Sequence, residues 1–161
     1  MMKPWPNCLA KFLVLAGVAP LAIAYYSQIF QGAEPCILCL YQRVPFAIVI
    51  VLGLIGIFRP ALAPKMAILA GCAFAIGAGI ASYHVGVEQH WWASAASCGG
   101  GLSGEVSIAD LQQQLTMKPA KACDEIDWTL FGISMATYNV AYSSVLAVIS
   151  FVGAAHLRRA A

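Results

Sequence analysis

The stretch YQRVPFAIVIVLGLIGIF, Tyr41 to Phe58, decides the fold of this chain. It carries one charge, Arg43, in its first turn and is apolar from Val44 onward. At about 1.5 Å per helical residue, a run of this length comes close to crossing a hydrocarbon core of about 30 Å. Three further stretches share its character, at about 12–30, 64–83 and 133–151. Backbone amides in lipid must bond within their own element, so these runs read as helices despite their glycines and β-branched residues. The composition agrees, because a chain that is 61% hydrophobic and 10% charged cannot hide its apolar surface inside a small globule.

The expectation is an all-α membrane protein, a four-transmembrane-helix bundle forming one integral membrane domain over 1–161. The spans are about 12–30, 41–58, 64–83 and 133–151, with a short first outer loop at about 31–40 and a long second one at about 84–132. Gly71, Gly77 and Gly79 are expected to let the third span approach its neighbours closely.

Charge orients the bundle. With four spans, both termini and the Arg59 to Lys65 turn share one side, which holds Lys3, Lys11, Arg59, Lys65, Arg158 and Arg159 and no acid. The positive-inside rule makes that side cytoplasmic. Every acid (Glu34, Glu88, Glu105, Asp110, Asp124, Glu125 and Asp127) falls on the other side. The net charge of +2 therefore reports topology and gives no sign of nucleic-acid binding. Lys3, Lys11 and Ala22-Ile23-Ala24 together imitate a cleavable signal peptide. The apolar run, however, continues through Tyr25, Tyr26, Ile29 and Phe30, longer than a signal core needs, and is read as a retained span.

In the long outer loop, Ser107 and Asp110 form a helix-start pair, and Ile108, Leu111 and Leu115 recur at helical spacing before Pro119. The pattern predicts a short amphipathic helix on the membrane surface, with a mobile polar loop as the competing reading. Gly99, Gly100, Gly101 and Gly104 loosen the start of this loop.

Of the cysteines, Cys36, Cys39, Cys98 and Cys123 lie outside, whereas Cys8 is near the cytoplasmic end and Cys72 is inside the third span, an apolar filler. An outer compartment permits disulfides, and four cysteines allow three pairings. Cys36 with Cys39 and Cys98 with Cys123 is the pairing least demanding of geometry, and sequence leaves the others open. Redox exchange, structural stapling and zinc binding compete. Stapling explains Cys36 and Cys39 poorly, since so short a ring constrains little chain entropy. Zinc lacks a second tight half-site, because Cys98 and Cys123 are separated by a long loop. A dithiol at a bilayer surface beside a cation suits electron exchange with a lipid-soluble carrier.

The block Glu34-Pro-Cys-Ile-Leu-Cys-Leu-Tyr-Gln-Arg43, opening the second of four spans and followed by a second cysteine pair in a long outer loop, closely resembles the DsbB family of bacterial disulfide-bond formation proteins. The resemblance covers essentially the whole chain. It implies an enzyme of the inner (cytoplasmic) membrane, a protein-dithiol:quinone oxidoreductase. Such an enzyme reoxidises a periplasmic DsbA-like thiol oxidase of the thioredoxin fold and passes the electrons to ubiquinone or menaquinone. By the same resemblance Cys98 is the sulfur attacked by the partner's thiolate, and Cys123 is released and attacks Cys36. Cys39 is thereby freed to react with quinone. Thiol exchange needs a thiolate attacker, a good leaving sulfur and access, so a pair in a flexible loop suits a protein and a pair near lipid suits a buried carrier.

Arg43 lies four positions after Cys39, on the same helix face, where its charge can stabilise the Cys39 thiolate and a developing quinone oxyanion. Snorkelling to the interface is its ordinary alternative. His84, at the outer end of the third span, is the candidate quinone contact and proton relay, with His90 as its rival. Trp91, Trp92 and Trp128 read as interfacial anchors, and Tyr138 and Asn139 are left outside the site. The glycine run after Cys98 and the glutamines at 112–114 depart from the familiar pattern and bear on which soluble partner is served. The rival enzyme class is a vitamin K epoxide reductase-like protein, whose redox motif lies late in its helical core. The non-enzymatic rival is a disulfide-stapled or metal-binding membrane protein.

Overall fold

The computed structural model describes residues 5–93, 122–124, 126 and 129–160. Within them the chain forms four long helices: α1 (Trp5–Phe30), α2 (Ile37–Phe58), α3 (Ala63–Glu88) and α4 (Met135–Ala160). All four are long and apolar enough to cross a membrane. Each outruns its expected span, because hydropathy marks only the lipid-facing part of a helix, whereas the hydrogen-bond ladder continues into the interface. Thus α3 runs past Tyr83 to Glu88, and α4 runs through Arg158 and Arg159. The expected surface helix around Ile108 to Leu115 lies outside the described residues.

Among the described residues, the first two connections and the entry to α4 are specified locally. After α1, Gly32 takes a left-handed conformation (φ +68°), and the Ala33 N–H turns back to the Ser27 carbonyl at 3.2 Å. A 3-10 turn, Pro60–Leu62, joins α2 to α3. Before α4, β1 (Thr129–Leu130) pairs antiparallel with β2 (Ile133–Ser134). Both residues of their tight turn are left-handed, Phe131 at φ 52° and Gly132 at φ 76°, as a type I′ hairpin requires. Ser134 then caps α4, its Oγ accepting from the Thr137 N–H at 3.3 Å.

Each helix packs chiefly on its sequence neighbour, α1 on α2, α2 on α3 and α3 on α4. The core runs along their shared axis through Leu13, Phe46, Val49, Phe74 and Leu146, with alanines filling the close approaches. Phe46 and Phe74 meet edge to face, with centroids 6.1 Å apart. The expected glycine contacts hold at Gly71, which seats the Phe151 ring, and at Gly77, where an added Cβ would stand 3.3 Å from Pro45. They fail at Gly79, which faces open space.

The closest crossing is between α1 and α2, where Gly17 and Gly53 each lie against the partner helix's backbone. A Cβ on Gly17 would fall 2.7 Å from Ile50 Cγ1 and 2.9 Å from the Phe46 carbonyl oxygen, which cannot rotate away. Gly17→Val is therefore expected to wedge the pair apart and to cost about 1–3 kcal/mol. A lowered thermal midpoint of the detergent-solubilised protein would register it, while unchanged melting would show that the crossing is looser than drawn.

Candidate active site

The outer end of the bundle gathers the start of α2, the last turns of α3, the start of α4 and the segment at Cys123. Cys36 is the N-cap of α2, its Sγ accepting from the Cys39 N–H at 3.4 Å, so that it stands where the free amides of a helix start converge. Cys39 follows one turn later, and the two sulfurs are 3.3 Å apart. Both are free thiols, as are Cys8 and Cys72. Cys72 faces outward, not into the bundle as its place in the span suggests. Cys123, by contrast, is disulfide-bonded and only 1% exposed. It packs into one apolar cluster with Cys36, Leu38 and Val87, flanked by Cys39 and Tyr83. Cys98 lies outside the described residues.

The Cys36 thiol is held well below the usual thiol range, first by the hydrogen bond from Cys39, then by those from His84 and the Cys39 backbone, with burial opposing them. Negative charge in the reduced pair therefore settles on Cys36, the capped sulfur.

His84 stands across from this pair on α3, buried, with Nε2 3.6 Å from Cys36 Sγ and 3.8 Å from Glu88 Oε1. Its Nδ1 lies 2.8 Å from Gln42 Nε2. Gln42 Oε1 accepts from Asn139 Nδ2 at 2.5 Å, and Asn139 Oδ1 accepts from Ser143 Oγ at 2.8 Å. This chain of amides has a direction: Gln42 donates to Nδ1, which places the ring proton on Nε2, facing the Cys36 sulfur and the Glu88 carboxylate. Glu88 in turn accepts from Ser134 Oγ at 2.6 Å. One polar network thus ties α2, α3 and α4 together inside an otherwise apolar bundle, where an unpaired group would be expensive.

Arg43 does lie one turn beyond Cys39, but its guanidinium is engaged by α1. Nη1 donates to Gln28 Oε1 at 2.9 Å, and the group sits 4.8 Å above the Tyr25 ring. Cys39 is left between this cation and the His84 network, on a half-buried flank next to exposed Leu40, Tyr41 and Val44. His90 is exposed and left-handed, and its ring bonds the Val87 carbonyl; it closes α3 and stays away from the dithiol. Trp92 stacks on Tyr83 with centroids 5.8 Å apart and donates to the Tyr83 carbonyl, in keeping with an interfacial anchor.

The structure therefore brings Cys36, Cys39, His84 and Cys123 together and sets Arg43 beside them. Sequence reading missed Gln42, Glu88, Ser134 and Ser143 and set Asn139 aside. A signal existed, since polar side chains inside apolar spans are functional candidates by default. Gln42→Leu keeps the side chain's bulk and strips His84 Nδ1 and Asn139 Nδ2 of their partner. It is expected to lower stability by about 1–3 kcal/mol and to slow proton transfer through His84 about tenfold. Thermal midpoint and thiol-oxidation rate, measured together, check this; an unaltered rate would mean that the amide chain only braces the helices.

The sequence matches the profile of the family "Disulfide bond formation protein DsbB" over residues 6–153. It is 32% identical over 152 residues to disulfide bond formation protein B of Xylella fastidiosa (strain 9a5c), covering 91% of this chain and 87% of the relative. Its namesake from Xanthomonas axonopodis pv. citri is 33% identical over 154 residues, with coverages of 92% and 88%. That of Acinetobacter baumannii is 29% identical over 143 residues, with coverages of 85% and 84%. No solved structure matches significantly.

Proposed function

The chain belongs to the DsbB family of disulfide bond formation proteins, and from that premise we propose that it is a thiol:quinone oxidoreductase that reoxidises a periplasmic DsbA-like dithiol oxidase. One observation carries the reading. A disulfide-bonded Cys123 is packed against a free dithiol, Cys36 and Cys39, at one end of four membrane-spanning helices. A disulfide sulfur packed in one cluster with a free dithiol is arranged to hand electrons on, and a staple would need no dithiol beside it.

The proposed order runs from the loop inward. The partner's thiolate attacks Cys98 of a Cys98–Cys123 disulfide, and Cys123 leaves as a thiolate. Cys123 attacks Cys36 of an oxidised Cys36–Cys39 pair, and Cys39 leaves carrying the electron pair. The partner's second thiol resolves its mixed disulfide and leaves as an oxidised protein; the loop pair re-forms as Cys36 is released. The enzyme then holds two electrons at the Cys36 and Cys39 dithiol.

The site suits a quinone: a half-buried thiol, a fixed cation on one side and a ring N–H donor on the other meet an apolar exposed flank at Leu40, Tyr41 and Val44, with Tyr25 of α1 beneath Arg43. Bound quinone supplies a sink for two electrons and two protons. Cys39 is the sulfur that donates, and Arg43 and His84 Nε2 are the groups that hold the acceptor's oxygens. Cys36, kept as a thiolate 3.3 Å from Cys39, is poised to close the disulfide as the electron pair departs. His84, backed by Gln42 and Glu88, moves a proton between the sulfurs and the acceptor side.

The same proposal puts this end in the periplasm and the chain in the bacterial inner membrane, a reading supported by Lys11, Arg59, Lys65, Arg158 and Arg159 at the opposite end. The purified protein, given a reduced thioredoxin-fold periplasmic oxidase, is expected to bleach ubiquinone or menaquinone absorbance with one quinone consumed per partner disulfide formed. Partner oxidation without quinone loss, or no reaction with any quinone, would overturn the proposal.

A further inference from the structure

We propose that the reduced Cys36 and Cys39 dithiol, with His84 and Glu88, is a binding site for a thiophilic divalent cation of the zinc class, and that the oxidised pair is not. Cys36, Cys39 and His84 already offer three ligand atoms within 4.8 Å of one another. A tetrahedral zinc ion, with bonds of about 2.3 Å to sulfur and about 2.0–2.1 Å to nitrogen and oxygen, holds two sulfurs about 3.8 Å apart, sulfur and nitrogen about 3.6 Å, and nitrogen and oxygen about 3.4 Å. The corresponding distances are 3.3 Å between the sulfurs, 3.6 Å from Cys36 Sγ to His84 Nε2, and 3.8 Å from His84 Nε2 to Glu88 Oε1. The two sulfurs and the imidazole thus need movements of about half an ångström or less, and Glu88, which lies outside this 4.8 Å group, completes the set by swinging Oε1 toward the sulfurs.

The surrounding bonds are those of a supported metal site. Ser134 occupies Glu88 Oε2 and leaves Oε1 turned toward His84. Coordination through Nε2 requires the ring proton on Nδ1, and Gln42, which faces Nδ1 at 2.8 Å, receives that proton by turning its amide oxygen inward, the Asn139 amide turning with it so that Ser143 Oγ accepts in its place. The four ligands come from two helices already packed on each other, so little ordering is needed. Binding releases the thiol protons and moves no electrons: the protein stays at the dithiol level, with both sulfur lone pairs committed to the metal. Once the pair is oxidised, its sulfurs stand about 2.05 Å apart and carry no thiolate, so the chelate is lost.

The consequence, which rests on the quinone reading, is inhibition confined to one half of the cycle. A periplasm rich in such a cation holds the enzyme reduced, and a chelator releases it. The binding claim itself needs no quinone. The test titrates the full-length protein with Cd²⁺ alone, in detergent, in a Cys98→Ser/Cys123→Ser background that removes the second pair. Reduced protein is expected to bind one Cd²⁺ with an ultraviolet sulfur-to-cadmium charge-transfer band, and oxidised protein to show no band. His84→Ala is expected to weaken binding at least about 100-fold, the upper end of what losing a supporting partner alone costs, and Glu88→Gln about 10-fold or more. Equal binding by the oxidised form, or full affinity in both His84→Ala and Glu88→Gln, would overturn the site. If Cd²⁺ binds as described but leaves quinone reduction untouched, the inhibitory consequence fails and the site stands.

Discussion

A Cys39→Ser protein is expected to reduce no quinone above the protein-free control, and yet to oxidise one equivalent of the reduced periplasmic partner in a single burst. The two halves of that result follow from different cysteines. The loop disulfide at Cys123 is untouched by the substitution, so the first partner molecule still finds an oxidised pair to attack. The electrons then have nowhere to go. Cys36 alone cannot form a disulfide within the α2 turn, and the sulfur on the half-buried flank between Arg43 and His84 has been replaced by a hydroxyl that neither donates electrons nor leaves as a thiolate. Serine keeps the helix start nearly unchanged, because the Cys36 cap depends on the Cys39 backbone N–H, not on its side chain. Loss of activity in a variant with a wild-type thermal midpoint therefore reports chemistry and not folding. Quinone absorbance and partner thiol content, followed in the same cuvette, separate the burst from turnover. Sustained quinone bleaching by Cys39→Ser would remove Cys39 from the electron path and move the donor role to Cys36.

How much of this could be read from the chain alone varies residue by residue. The four helices were legible because lipid permits so few backbone solutions, and the Cys36-x-x-Cys39 pair was legible because the chemistry sits within one turn of one helix. Arg43 shows where such reading stops. Spacing sets it one turn beyond Cys39, but it cannot reveal that Gln28 and Tyr25 of α1 also hold its guanidinium. Gln42 and Asn139 show the same limit more sharply. Helical periodicity places each on its own helix, yet their contact depends on how α2 and α4 are rotated about their axes, and the apolar stripes are too even all round to fix that rotation. His84 was singled out from the sequence, but its rival His90 is set aside only by geometry, because α3 continues past the expected end of the span and holds His84 against Cys36 while His90 closes the helix. The electrostatics also shifted: sequence favoured a thiolate at Cys39 from the nearby cation, whereas the cap and His84 favour Cys36.

Cys98→Ser supplies the second large effect and the sharper test of the transfer order. Turnover with the protein partner is expected to fall to the uncatalysed background, because the sulfur proposed to meet the soluble oxidase is gone. The membrane-facing leg should survive: after chemical reduction and removal of the reductant, one equivalent of quinone should be reduced per protein, at the wild-type single-turnover rate. A further signature comes from packing. Without Cys98, Cys123 is left as a thiol inside the apolar cluster it shares with Cys36, at 1% exposure, with the Cys36–Cys39 disulfide as its nearest oxidant. Attack there moves no electrons out of the protein; it exchanges one disulfide for another and frees Cys39. Peptide mapping of the air-oxidised variant under non-reducing conditions is therefore expected to find a Cys36–Cys123 bridge, the same bond that the normal cycle passes through too briefly to collect. Adding Cys36→Ser should abolish the bridge, and adding Cys39→Ser should not prevent it once an external oxidant is supplied. If Cys98→Ser oxidises the soluble partner at the normal rate, electrons enter elsewhere. If instead Cys123 bridges to Cys39 and never to Cys36, the buried pair is entered from its lipid-facing sulfur, and the roles given to Cys36 and Cys39 exchange.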